Sequence, residues 1–331
     1  MTLLKPRRWI RRKQSLPVFI GEASRSHADV HMARLLMRGT SAWARHAALI
    51  PPPSRFLQFV GFPRSGHSLI GAIFSASEAV CLSHELDVMG LVDARLPYSA
   101  IRGLILSNAV AFERNGRWWN GLSYDLGTDP LAARKPFAVM GDKKGDWAVR
   151  RTLKDPRLLE ILPKLIPARH QWVLVTRNPF DNIAVMSMRQ NRLYDRLRIA
   201  AANAADFRAQ LRDAMDAGDI SAHADDGMIA DYATLCEGVA AIRARVRPED
   251  FLHVDYGAFT RDAERAVPAL FDFIGIAPDA ERLRQCIAIV RPARSGPRDL
   301  IGWSTEQRAE VNRIIASHDF LSCYADGENH A

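Results

Sequence analysis

Cysteine is sparse in this 331-residue chain. Cys81, Cys236, Cys286 and Cys323 are scattered, and no CxxC pair occurs. Such spacing indicates neither a zinc site nor a disulfide framework, so reduced structural thiols in a cytosol are expected. No apolar run approaches the roughly 20 residues of a membrane-spanning helix. Internal repeats and low-complexity tracts are absent as well. The first 21 residues are basic (Lys5, Arg7, Arg8, Arg11, Arg12, Lys13) but lack the long apolar core and small-residue cleavage site of a secretory signal. Trp9, Ile10, Leu16, Val18, Phe19 and Ile20 interleave with those charges. The stretch therefore reads as a frayed basic tail or as a weak peripheral contact with a membrane surface.

What is present is ordinary for a soluble globular protein: 48% hydrophobic and 25% charged residues. The formal net charge of +8 either solvates a basic surface or draws an anionic ligand, nucleic acid or membrane face. No RNA- or DNA-binding signature accompanies it.

Along the chain, 1–53 read as a poorly specified basic leader with short helical patterns at 34–37 and 42–50. It ends at Pro51-Pro52-Pro53, which block helix and central strand alike. From 54 to 325 the pattern is α/β, predicting a P-loop-like parallel sheet flanked by helices. Buried strands are expected at 56–60, 171–176 and 251–254, with a shorter apolar piece at 80–82. Helices are expected at 66–76, 158–166, 180–192, 261–274 and 305–316. Residues 97–140, with Trp118 and Trp119, read as irregular, and 194–246 as a helical insertion.

The densest signal is Phe56-Leu-Gln-Phe-Val-Gly-Phe-Pro-Arg-Ser-Gly-His-Ser-Leu-Ile70. A strand breaks into a loop bounded by Gly61 and Gly66 and opens onto a helix. Ser68 stands where phosphate loops carry Ser or Thr, but His67 replaces the usual lysine. Backbone N–H groups of 63–68 and the helix N-terminus can converge on an anion, with Arg64 adding a full charge. Arg177 sits at a second strand-to-helix junction, where Asn178 suits the N-cap and Pro179 the first helical position. Arg291, Arg294 and Arg298 form a third basic cluster. Asp255 follows Val254, yet no Lys-Ser/Thr pair precedes it in the loop. That counts against Mg²⁺-dependent phosphoryl transfer by a nucleotide kinase or NTPase, which stays open as an alternative.

Gly61-Phe-Pro-Arg-Ser-Gly-His-Ser68 resembles the 5′-phosphosulfate loop of sulfotransferases that use 3′-phosphoadenosine 5′-phosphosulfate (PAPS). Val175-Thr-Arg-Asn-Pro-Phe-Asp-Asn182 resembles their 3′-phosphate segment. The style of the motifs is that of the bacterial and tyrosylprotein/heparan branches, and fainter similarity runs from 55 to 324. The resemblance implies that Arg64, Ser65, Gly66, His67 and Ser68 hold the 5′-phosphosulfate and Arg177 the 3′-phosphate. It assigns Tyr256 to the adenine and Arg294 and Ser295 to a closing C-terminal loop. The second 3′-phosphate ligand of the family is a helix serine one turn before Ser187, near Val185, which leaves Ser187 an imperfect match. Lys154 resembles a lysine near the transferred sulfuryl, with Lys143 and Lys144 as rivals. Glu85 matches the catalytic base in its separation from the loop arginine, and His84 is the alternative. Lys154 and Arg64 would stabilise the leaving oxygen. The expected co-substrate is PAPS, with no metal. The expected acceptor is a small molecule, lipid or saccharide hydroxyl or amine in a bacterial cytosol, with no nucleic-acid partner.

Overall fold

The computed structural model describes residues 29–119, 122–127, 131, 136–190, 209–210, 213–214, 216–217, 222–276, 278–291 and 296–325. Five strands form one sheet: β1 (Arg55–Gly61), β2 (Val80–Ser83), β5 (Val139–Asp142), β6 (Arg169–Thr176) and β7 (Phe251–Asp255). Their order is β2-β5-β1-β6-β7. Every pairing is parallel, for example Phe59 beside Val173 and Leu82 beside Gly141. A separate hairpin pairs β3 (Trp118–Trp119) with β4 (Leu122–Ser123).

Parallel strands buried on both faces carry apolar residues almost continuously. In β1, Phe56 and Val60 enter one core, while Leu57 and Phe59 enter the other. In β6, Trp172 and Leu174 divide from Val173 and Val175 in the same way. The first core is covered by α1 (Asp29–His46), α3 (Val88–Asp93), α4 (Tyr98–Arg114), α5 (Gly145–Lys154), α6 (Leu158–Leu165), α7 (Pro179–Gln190), α8 (Asp226–Arg243) and α12 (Thr305–Ala316). The second is covered by α2 (His67–Phe74), α9 (Tyr256–Arg261), α10 (Ala263–Ile274) and α11 (Ala280–Ala288). Every loop that follows a sheet strand therefore emerges at the carboxyl edge, where open α/β sheets bind ligands.

Three expectations change. The predicted leader includes an 18-residue helix, α1, that belongs to the domain. Gly39 of α1 meets Gly103 of α4 backbone to backbone, and a Cβ on Gly103 would collide with the Gly39 carbonyl. Residues 98–114, expected to be irregular, form α4, because Ile101, Leu104, Ile105, Ala109 and Phe112 repeat at helical spacing and are buried. The predicted helix at 261–274 divides at Asp262, whose side chain caps α10 by accepting from the Arg265 N–H (3.2 Å). The predicted insertion at 194–246 lies largely outside the described residues, although α8 falls within it. The basic stretch 1–28 also lies outside them. Among the described residues no helix is long and apolar enough to cross a membrane.

Replacing Gly103 by valine should lower stability by about 1–3 kcal/mol through overpacking at this crossing. Urea unfolding would measure it, and an unchanged midpoint would show that α1 does not dock as described.

Candidate active site

The loop after β1 carries two left-handed glycines, Gly61 (φ 116°) and Gly66 (φ 114°). Gly66 is also the N-cap of α2, and no side chain caps that end, so first-turn N–H groups remain for a ligand. The Tyr256 ring lies directly over Gly66, where a Cβ would collide with it. Non-glycine residues strained into positive φ surround this edge: Arg64 (74°), Glu85 (64°), Asp87 (65°) and Arg117 (48°). Ser65 donates to the Phe62 carbonyl (2.9 Å) and shapes the turn.

His67 does not replace the missing lysine in place. Its ring is buried edge-on against Phe59 (centroids 5.5 Å, 82°) and within 2.6 Å of the Cβ position of Gly145. Burial, and then the nearby Lys143 charge, push its pKa down to about 3, so it is neutral. The cation arrives from another strand. Lys143, just past β5, donates from Nζ to Ser68 Oγ (3.1 Å) and to the Glu85 carboxylate. Lys144 donates to the other Glu85 oxygen (2.7 Å) and pairs with Asp146 (3.0 Å).

Burial alone would raise the Glu85 carboxyl, but Lys143 and Lys144 outweigh it and hold it well below the usual carboxylate range. Burial lowers Lys143 despite Glu85. Burial also opposes the charge on Lys144, yet Glu85 and Asp146 keep its pKa above the ordinary value. His84 is neutral for the same reason as His67, with burial the larger cause and Lys143 the next. Its ring stacks on Phe112 (3.8 Å, 12°) and meets Trp119 edge-on (4.8 Å, 77°).

Three outside groups brace the strained loop 84–88. Asp142 accepts from Ser83 Oγ (2.9 Å), Leu86 N–H (3.2 Å) and Val88 N–H (2.8 Å), and burial raises its pKa to about 6. Arg151 of α5 forks onto both Asp87 oxygens (Nε to Oδ1 2.9 Å, Nη2 to Oδ2 2.7 Å). Asn108 of α4 accepts from the His84 N–H (2.6 Å). Glu85 thus stands between the lysines because three elements hold its backbone.

At the second junction Asn178 accepts from the Phe180 N–H (3.0 Å), and Pro179 opens α7 as expected. Arg177 is half-buried beside Tyr256, and the two are close enough for its charge to act on the Tyr256 hydroxyl. Asn182 joins the start of α7 to the loop after β1 by donating from Nδ2 to the Pro63 carbonyl (2.9 Å). Asp181 holds the C-terminal basic loop, accepting from the Arg298 N–H (3.1 Å).

Two sequence assignments are corrected. Lys154 is exposed at the far end of α5, about 15 Å along the helix from Lys144. It cannot share a group with Ser68, whereas Lys143 does. Ser187 is fully buried about 12 Å along α7 from Pro179, and its Oγ accepts from the Asp225 N–H (3.0 Å). It ties α7 to the cap of α8. Arg294 and Ser295 lie outside the described residues. Asp142, Arg151, Asn108 and Asn182 escaped the sequence reading; for Asp142 the usable signal was its place after the apolar Val139-Met140. Among the described residues no group of three or more His, Cys, Asp or Glu is placed to hold a metal ion.

No protein-family model and no curated protein matches the chain. Solved structures similar to it include sulfotransferase STF9 from Mycobacterium avium, at 13% identity and TM-score 0.43, covering 90% of this chain and 86% of that one. The sulfotransferase domain of the Synechococcus PCC 7002 olefin synthase matches at 11% identity and TM-score 0.42, covering 82% and 95%. Mouse sulfotransferase SULT7A1, solved with PAP, matches at 10% identity and TM-score 0.38, covering 88% and 95%. Similarity this distant assigns no activity, so the functional reading below stands on the groups of the site.

The depressed His67 pKa has a measurable consequence. The unfolded histidine titrates near 6.5, so below that pH the unfolded chain takes a proton the folded chain refuses until about pH 3. Stability then falls as pH falls, and between pH 6.5 and 5 His67 alone accounts for about 1.6 kcal/mol. His67→Asn should lose about that much less than the parent protein over the same interval. Equal losses in urea melts of both proteins would contradict a buried neutral His67.

Proposed function

We propose that this chain moves a sulfuryl group from PAPS to a hydroxyl or amine of a small-molecule, lipid or saccharide acceptor. The observation that carries this reading is the Lys143 ammonium, shared between the phosphate-loop Ser68 and the carboxylate of Glu85. It joins an anion cradle to a base with one cation between them.

In this scheme the backbone of 64–68 and the uncapped start of α2 receive the 5′-phosphosulfate. Arg177 receives the 3′-phosphate, and Tyr256, lying over Gly66, borders the nucleotide. The acceptor oxygen or nitrogen attacks sulfur in line, and a new bond to sulfur forms. The bond from sulfur to the bridging oxygen breaks, and its electron pair leaves with PAP. The acceptor proton passes to Glu85, with the neutral His84 as the rival base. Lys143 and Lys144 stabilise the charge growing on the leaving oxygen. A bound sulfonate would draw both lysines from Glu85 and so raise its proton affinity when a base is needed. A kinase reading has less support, because the buried carboxylate beside the loop, Asp142, is committed to Ser83 and two backbone N–H groups.

Calorimetry with PAP in EDTA should give micromolar or tighter binding, weakened at least tenfold by Arg177→Ala. Tight Mg²⁺-dependent ATP binding with indifference to PAP would refute the proposal. Glu85→Gln should reduce turnover of labelled PAPS by about 10²-fold or more while PAP affinity stays within about threefold; undiminished turnover would remove Glu85 from the base role.

A further inference from the structure

Strands β6 and β7 lie side by side, and each ends one residue before a side chain assigned above to the nucleotide. Thr176 precedes Arg177, Asp255 precedes Tyr256, and Thr176 and Asp255 are register partners. A single phenol binds both. Tyr324 donates to Asp255 Oδ2 and lies 3.2 Å from Thr176 Oγ1, although Thr176 and Tyr324 are 148 residues apart in the chain. On its other side Thr176 Oγ1 lies 2.8 Å from His253 Nε2. Cys323 Sγ adds a weak contact to Asp255 at 3.5 Å.

The carboxylate sets the direction of these bonds. It can only accept, so the one phenol proton goes to Asp255. Tyr324 then accepts from Thr176, and Thr176 accepts from the Nε2–H of His253. The other histidine tautomer would turn the Thr176 proton toward His253 and leave two oxygens facing each other without a proton between them. The chain therefore runs from His253 through Thr176 and Tyr324 to Asp255, each group donating to the next.

Packing away from the site fixes Tyr324. It ends the 3₁₀ turn Asp319–Tyr324, whose Phe320 and Leu321 are buried in the first core, and it is itself only 7% exposed. Burial, and next the Asp255 charge, push its hydroxyl pKa up, so it keeps the proton it donates. Asp255 uses its other oxygen, Oδ1, to cap α9 by accepting from the Ala258 N–H, and Tyr256 opens that helix. The Tyr256 ring is thus set between Gly66 and the Arg177 charge.

We propose that Tyr324 is a positioning residue of the nucleotide site: its hydroxyl fixes the spacing of Arg177 and Tyr256 so that both engage one ligand. The inference rests on the PAPS-donor reading. Binding groups must be held within about 0.5 Å of their productive places, and Thr176 and Asp255 are each one residue from the group they place.

The test uses the full chain with PAP and with adenosine 5′-phosphate, which lacks only the 3′-phosphate. Tyr324→Phe removes the hydroxyl and keeps the ring. By calorimetry it should weaken PAP binding about tenfold and adenosine 5′-phosphate binding less than about threefold. In an Arg177→Ala background the same change should weaken PAP binding less than about twofold, because the placed group is gone. A merely structural role would lower the thermal midpoint and leave the preference for PAP as in the parent protein. Should Tyr324→Phe fail to fold, Thr176→Val breaks the same chain and decides by the same comparisons. An unchanged preference for PAP, or an effect that persists in full without Arg177, would overturn the proposal. Absence of PAP binding in the parent protein is a separate result that refutes the donor reading. Amide exchange at 177–182 and 256–261 then decides on Tyr324: faster exchange of both segments in Tyr324→Phe supports the tie, and unchanged exchange overturns it.

Discussion

The site depends on one buried ionic cluster, the Glu85 carboxylate held between the ammonium groups of Lys143 and Lys144. Lys143 is only 3% exposed and Glu85 14% in their side chains. Removing one partner from such a buried pair typically costs 3–5 kcal/mol, because the other charge is left uncompensated. The cluster also has geometric force. It joins the loop after β2 to the start of α5 and, through Ser68, to the loop after β1. Three neighbouring strand ends are thereby held in one arrangement.

The sheet explains why these groups can meet. Strand β5 lies between β2 and β1, so Lys143 has Glu85 on one side and Ser68 on the other. Apolar packing on both faces makes the strands a fixed platform, and the parallel order sends every active loop to the same edge. Charged groups buried at this edge would be costly alone, and several are matched: Arg151 by Asp87, Lys144 by Glu85 and Asp146. Asp142 is matched by hydrogen bonds rather than charge.

Local patterns in the chain carried much of the fold. The apolar run 56–60, the Gly61 and Gly66 loop, and the Asn178-Pro179 start of α7 each express preferences within a few residues, and each appears with boundaries shifted by only one or two positions. Strand β5 was missed because Val139-Met140-Gly141-Asp142 is too short to signal a strand, and its burial comes from neighbours on both sides. Helix α4 was missed because its apolar residues run nearly all round, as suits a helix buried by α1 and the sheet edge.

The sequence alone determined the loop between Gly61 and Gly66, the histidine at 67, and the place of Arg177 at a strand-to-helix junction, since all three are local chain features. It also offered Glu85 or His84 as the candidate base and Lys154 or the pair at 143 and 144 as the candidate lysine. Only tertiary structure showed that Lys143 contacts Ser68, because the two are 75 residues apart and meet through strand order. The same holds for Ser187, whose hydroxyl is committed to the backbone of Asp225 by the packing of α8. Hydrogen bonds and ion pairs between distant segments depend on which strands lie side by side, and residue spacing along one chain does not encode that directly.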